Sequence, residues 1–245
     1  MGKKRGTILL VIPKHYFVAV ALLLLCLIGF SIYRSYPLAM VALSVRSIEI
    51  EYDVMLDAGH GGIDSGAVGR DDVYEKDIAL DIVLRMKEIL EKAGLTVGLT
   101  RDIDTDLSHL SSKGTRHEKD KLARFQLMHK GRIGMSVHVN ASKDPSVNGA
   151  IIFYMRDSYI GERYAQNVFD ELERVQNMNH NYVVPRSNLI LLKVSRPTIL
   201  VETGFISNSS DYEKLIDPEF RQSVAEALAK GIIMFHSTHY LEQTE

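Results

Sequence analysis

Between Val54 and Phe235 the hydrophobic period of the sequence changes repeatedly, and this alternation restricts the fold more than any other feature. Val54–Leu56 is a short apolar run that reads as a buried strand. From Glu75, the stretch EKDIALDIVLRMKEILEKAG sets Ile78, Ile82, Val83, Met86, Ile89 and Leu90 on one face at helical spacing, with Gly94 as its C-terminal stop. Strands follow in Leu95–Arg101, Ile133–Asn140 and Gly149–Met155, then a helix through Ile160, Tyr164, Val168, Phe169 and Leu172. Two more strands are read near Asn188–Lys193 and Thr198–Glu202, and a last helix starts with Asp217 as N-cap and Pro218 in its first turn. Strands alternating with helices predict a single α/β domain: a mostly parallel central sheet flanked by helices on both faces.

Ahead of this pattern lies a segment of another kind. Tyr16 to Tyr33 is 18 residues without a charge, preceded by Lys3, Lys4, Arg5 and Lys14 and followed by Arg34. That length can just span a bilayer, and the basic excess assigns residues 1–15 to the cytoplasm. The segment is apolar all round, which argues against a helix buried in the domain core. A retained signal anchor over 16–33 is favoured over a cleaved signal peptide, because the weak small-residue site Ala42-Leu43-Ser44 lies far from the apolar run. Both readings export everything after a linker at 34–51. The only cysteine, Cys26, falls inside the apolar run, so the exported body has no disulfide and depends on its core. A net charge of -2 gives no field for nucleic acid.

In open α/β sheets ligands bind beyond the carboxyl ends of the strands. His60 follows the first strand inside the glycine-rich DAGHGG, His138 ends MSVH, Glu202 ends TILVE, and Glu75 opens a helix. Four such groups can converge on one rim. Two histidines and a carboxylate are a common set for a catalytic zinc, and a second carboxylate off the metal can move the proton. The glycines around His60 would let the backbone and a bulky substrate come close. Each residue alone has a plain structural reading: a turn histidine, a core histidine, and a glutamate favoured at a helix N-terminus. Glu202 is the costly one, closing an apolar strand before TGF. Other motifs fail on inspection. GHGGIDSG has Asp64 where a dinucleotide loop needs glycine, no nucleotide-binding G-K-[ST] or G-x-S-x-G elbow is present, and HEKDK at His117 has Lys121 where a zinc-protease helix needs histidine, so it reads as a solvated charge run.

Five ordered motifs carry a resemblance to the zinc-dependent N-acetylmuramoyl-L-alanine amidases of bacterial cell walls. They are LDAGHGGIDSGAVG, YEKDIAL, LTRDIDTD, SVHVNA and VETGFISN, spread over about Val54 to Phe235. The resemblance implies that His60, Glu75 and His138 are ligands of Zn2+ and that Glu202 is the general base. It implies a catalytic domain over 52–240, with peptidoglycan as substrate, cleaved at the amide between the muramic acid lactyl group and L-alanine. The family's frequent Ala-Asn pair before the second histidine is replaced here by FQLMHKGRIG, with an expected effect on packing or substrate contact. The 63 residues between His138 and Glu202 leave little room for the autoinhibitory helical insert of the cell-division members, and wall-binding repeats are absent. A short chain of this kind is most like the germination-specific, spore-cortex branch, which implies cortex maturation toward muramic lactam.

Two alternatives remain at this stage: a zinc peptidase cutting within the stem peptide, and a wall-binding module with a degenerate site. The presence of all four chemical residues speaks against the second. Arg101 and Asn140, near the same rim, are candidates for contacting the stem peptide or its carboxylates, with a solvated surface role as the equal alternative. The implied partners are the peptidoglycan polymer and the membrane; no nucleic acid is expected and no activator protein is identified.

Overall fold

The computed structural model describes residues 23–31 and 49–241. Residue contacts divide the chain after Ile48, and the unit that begins at Glu49 is one α/β domain. Its strands are β1 (Tyr52–Ala58), β2 (Val97–Leu99), β3 (Gly131–Asn140), β4 (Ile151–Met155), β5 (Val184–Arg186) and β6 (Thr198–Phe205). They form one sheet in the order β2-β1-β3-β6-β4-β5. Every neighbouring pair is parallel except β6 with β4, which is antiparallel. The helices are α1 (Glu75–Lys92), α2 (Arg116–Met128), α3 (Tyr159–Leu172), α4 (Ser209–Ile216) and α5 (Pro218–His236).

Period-two alternation assigns each side chain of the sheet to a face. Val54, Leu56 and Ala58 of β1 pair in register with Ile133, Met135 and Val137 of β3, and the last two pair with Ile199 and Val201 of β6. These residues join α1, α3 and α5 in the main core, where α5 packs between α1 and α3. The other face carries Asp57, Ser136, His138, Leu200 and Glu202, with Asp57 opposite Ser136 and His138 opposite Glu202. It is covered by α2 and by a 3-10 turn at Leu191–Lys193, and a second apolar cluster there joins Ile151, Phe153, Leu192, Leu200 and Phe205. One face holds the main core, and the other combines a smaller apolar cluster with the polar residues of the site.

The helix ends follow local chemistry. Asp217 accepts from the Glu219 amide at 3.0 Å with Pro218 at the first position, and Gly94 (φ +86°) takes the left-handed turn after α1. Thr115 and Glu118 form a reciprocal capping box that starts α2.

The structure corrects two expectations and bears out a third, the single helix between His138 and Glu202. The run Asn188–Lys193 is a bend and a 3-10 turn with Leu191 and Leu192 buried, because a short apolar run reports burial but not backbone form. The strand in that region is the earlier β5, whose Pro185 is tolerated because β5 is an edge strand. The run His117–Lys121 belongs to α2 and buries Asp120. Between His138 and Glu202 the structure holds β4, α3, β5 and the 3-10 turn, so α3 is the one α-helix in that interval.

The expected span at 16–33 lies outside the described residues apart from 23–31, which are helical with exposed leucines, Ile28 and Phe30. Among the described residues no helix is long and apolar enough to cross a membrane. A chain starting at Glu49 is expected to be soluble and to unfold in one cooperative thermal transition. Recovery of that chain only as insoluble aggregate would show that the first 48 residues contribute to the domain's stability.

Candidate metal centre and cleft

The site is built on a buried carboxylate at the end of β1. Asp57 is fully buried, and its oxygens accept from Thr100 Oγ1 (2.6 Å), Ser136 Oγ (2.6 Å) and Arg124 Nη1 (2.7 Å). Burial pushes the Asp57 carboxyl up, but the Arg124 guanidinium, the charge on His138 and the hydroxyls of Ser136 and Thr100 together outweigh it, and the group settles at about 2. Arg124, itself buried, also donates through Nε to Asp120 (2.7 Å), through Nη1 to the Ala58 carbonyl (2.6 Å), and through Nη2 to the His60 carbonyl. A second buried guanidinium, Arg101, donates to the carbonyls of Ala58 (2.9 Å), Gly59 (2.8 Å) and Lys76 (2.8 Å). The loop that carries His60 is thus held by its backbone.

That arrangement explains the glycines. His60, Gly61 and Gly62 all have positive φ (59°, 134° and 60°), and two glycines after the histidine lower the strain of the turn. A side chain at Gly59 would collide with the His138 ring, one at Gly66 with Glu75 and His60, and one at Gly61 with the Thr105 carbonyl and Arg101. The expected reason was substrate approach; the neighbours that need the space are the site's own residues. Asp104 completes the loop, accepting from the Gly62 amide (2.7 Å) and from Lys76 Nζ (2.6 Å).

Three of the four expected residues meet directly. Glu75 Oε1 lies 2.8 Å from His138 Nδ1 and 3.2 Å from His60 Nε2, and it accepts from the Val139 amide at 3.0 Å. Its Oε2 accepts from the Ala67 amide at 2.7 Å. The two rings stand edge to face with centroids 5.0 Å apart. Among the described residues these three form the one cluster of its kind, each offering a ligand atom within 4.8 Å of the others. Burial pushes Glu75 up, yet the hydrogen bonds from His138 and His60 outweigh it and hold the carboxyl far below its usual range. Burial likewise opposes a charge on His60, but the hydrogen bonds to Glu75 and Asp64 raise that ring to about 9. The three present an anionic oxygen and two imidazole nitrogens to one point, a donor set that suits zinc.

Glu202 is beside them, opposite His138 in the β3–β6 register. Burial pushes its carboxyl up to about 7, Glu75 adds to the effect, and the charges on His138 and His60 oppose it. Its Oε2 is buried without a hydrogen-bond partner. An unpartnered buried carboxylate oxygen is expensive, and it fits a group that must exchange a proton with something that enters the site.

A cleft of about 250 Å³ opens from His60 and His138 between α2 and the segment before the 3-10 turn. Asp64, His117 and Lys121 form its polar wall, and Leu189, Ile190, Leu191 and Leu200 its apolar wall. Arg101 and Asn140, candidates for substrate contact, do not line it. Arg101 is buried on carbonyls, and Asn140 turns its Oδ1 to the Ala141 amide at 2.8 Å. Sequence reasoning missed Asp57, Arg124 and Asp120, although the Thr115-x-x-Glu118 capping signature marks the helix that delivers the last two. The SN of VETGFISN is a cap as well: Asn208 accepts from the amides of Ser210 (3.0 Å) and Asp211 (3.1 Å) at the start of α4.

Comparison with known proteins gives a consistent result. The family profile described as N-acetylmuramoyl-L-alanine amidase matches residues 54–234. The germination-specific N-acetylmuramoyl-L-alanine amidase of Bacillus subtilis is 33% identical over 187 residues, covering 74% of this chain and 78% of that protein. The CwlD amidase of Clostridioides difficile, solved in complex with the GerS lipoprotein, matches with a TM-score of 0.70 and 32% identity over 77% of this chain and all of that one. The amidase AmiC2 of Nostoc punctiforme gives 0.62 and 31%, covering 74% and 95% of the two chains.

Replacing Arg124 by Met should strand the Asp57 charge in the interior, at a cost of about 3–5 kcal/mol in chemical denaturation. A loss below about 1 kcal/mol would show that Asp57 does not depend on that partner.

Proposed function

The chain belongs to the N-acetylmuramoyl-L-alanine amidase family, and we propose that it hydrolyses the lactyl–L-alanine amide of peptidoglycan with a zinc ion held by His60, Glu75 and His138. The observation that carries this reading is the buried, unpartnered Oε2 of Glu202, next to three donors that converge on one point. Such an ion supplies Lewis acidity toward a carbonyl oxygen and lowers the pKa of water toward neutrality. The protein's own residues do the rest. Glu202, held near neutrality by burial, takes the proton of the attacking water and passes it to the leaving nitrogen. The carbon–nitrogen bond breaks as the new carbon–oxygen bond forms. The products are a free lactyl carboxylate and a stem peptide with a free L-alanine amine.

The cleft supports a peptide in that pose. Its leucines and Ile190 give an apolar wall for small side chains, and Lys121 on α2 presents a cation to the carboxylates of the stem. Likeness to a germination-specific amidase supports spore cortex as the polymer, with muramic lactam formed later from the freed lactyl carboxylate. The charge-free run at 16–33 supports export and anchoring, and the solved CwlD–GerS complex supports a protein partner for this chain too.

Purified protein should contain about one zinc per chain, and a chelator should abolish activity that added zinc restores. Glu202→Gln should keep the metal while turnover falls at least about 100-fold, whereas Glu75→Gln should weaken metal retention. Loss of zinc from Glu202→Gln would reverse the two assignments.

Mass spectrometry of digested peptidoglycan should show intact stem peptides that begin with L-alanine; fragments cut inside the stem would make the enzyme a peptidase. Lys121→Ala should raise KM roughly two- to fivefold with kcat little changed, the size of a solvent-exposed ion pair. An unchanged KM would remove Lys121 from substrate binding.

A further inference from the structure

Asp64 lies four residues after His60 and is used by neither the metal set nor the proton transfer. Its Oδ2 is 3.1 Å from His60 Nδ1, on the side of the ring opposite the Nε2 that faces Glu75. Its Oδ1 accepts from the Gly66 amide at 3.2 Å. Its backbone closes a reciprocal bridge with Gly61, the residue after the histidine, at 3.0 and 3.2 Å. The carboxylate is therefore fixed by the same short loop that it serves. His117 of α2, on the same polar wall of the cleft, reaches the same Oδ2 at 3.8 Å.

From this geometry we infer that Asp64 is the positioning carboxylate of the metal centre, which keeps the His60 proton on Nδ1 and turns Nε2 toward the ion. The inference rests on the zinc reading above. A neutral imidazole carries one proton and can put it on either nitrogen. With Asp64 accepting at Nδ1, the Nε2 lone pair is left free, and the partial charge pushed onto the ring makes that nitrogen a better donor. Arg101 and Arg124 hold the backbone of the His60 loop, but no helix or strand carries the residue and its ring must be oriented separately. Glu75 sits on a helix and His138 on a central strand, while His60 stands in a left-handed turn (φ 59°) between glycines. His138 directs Nδ1 rather than Nε2 at Glu75, so the two rings are oriented by different means.

The test measures zinc affinity by competition with a chromophoric chelator, with thermal unfolding of the metal-free proteins recorded alongside. Asp64→Ala is expected to bind zinc about 10- to 100-fold more weakly than the parent, and Asp64→Asn, which still offers an acceptor oxygen, to fall between them. His60→Ala keeps two ligands and should bind weakly but measurably. Adding Asp64→Ala to His60→Ala should cost no further affinity, because no ring remains to be turned.

The same fold-loss in the His60→Ala background would show that Asp64 only braces the loop, and the inference would be wrong. Parent-like affinity in Asp64→Ala, with His60→Ala weakened, would also overturn it while leaving the zinc reading intact. Parent-like affinity in His60→Ala would instead remove His60 from the metal set.

Discussion

The cluster of His60, Glu75 and His138 depends on a pair of charges that lie outside it. Asp57 and Arg124 are both buried, and the pair ties β1 to β3 through Ser136, to the end of β2 through Thr100, and to α2 through the arginine's own helix. Burying two charges is unfavourable unless each finds several partners, and here each does. What the pair secures is position. Arg124 still has donors for the carbonyls of Ala58 and His60, so the strand cannot end elsewhere and the imidazole cannot swing away with its loop.

The Gly59–Gly62 loop is shaped by the same requirement. Arg101 and Arg124 approach the chain from its carbonyl side and take up the oxygens of Ala58, Gly59 and His60. The His138 ring fills the space a side chain on Gly59 would occupy, and Glu75 with His60 does the same at Gly66. The bare stretch in the sequence is therefore a socket lined by other residues. Its glycines are set by packing around His60, Glu75 and His138 as well as by backbone conformation.

This is why the sequence was legible in some places and silent in others. The amphipathic period of α1, the Asp217-Pro218 start of α5 and the apolar cores of β1, β3 and β6 are local signals, and they located the rim on which His60, Glu75, His138 and Glu202 meet. Asp57 and Arg124 lie 67 positions apart, and no local pattern joins them. Arg124 follows a run of charges that resembles solvated surface, and only the packing of α2 on the sheet turns that face inward. Arg101 misled for the same reason: a cation near a rim looks available until its partners, all backbone carbonyls, are known. At Asn188–Lys193 the apolar residues are buried as expected, but burial alone does not distinguish a strand from a tight turn.

The antiparallel seam between β6 and β4 has a consequence for how the domain can vary. In a wholly parallel sheet, one end would gather only the segments that leave the strands. Here β4 and β5 run the other way, so the segments at 141–150 and 173–183, which lead into them, also arrive at the end where His138 and Glu202 stand; Ala150 and Met178 meet there in a bridge. The turn at 156–158 is carried to the opposite end. Lengthening either of the first two segments would add chain at the end of the sheet that carries His138 and Glu202 without disturbing the strands beneath it, while a change at 156–158 would fall at the far end. One reversed pair of strands thus brings the entry into β5 to that end of the sheet and keeps the β3–β4 connection wholly there, both independent of the loop that holds His60.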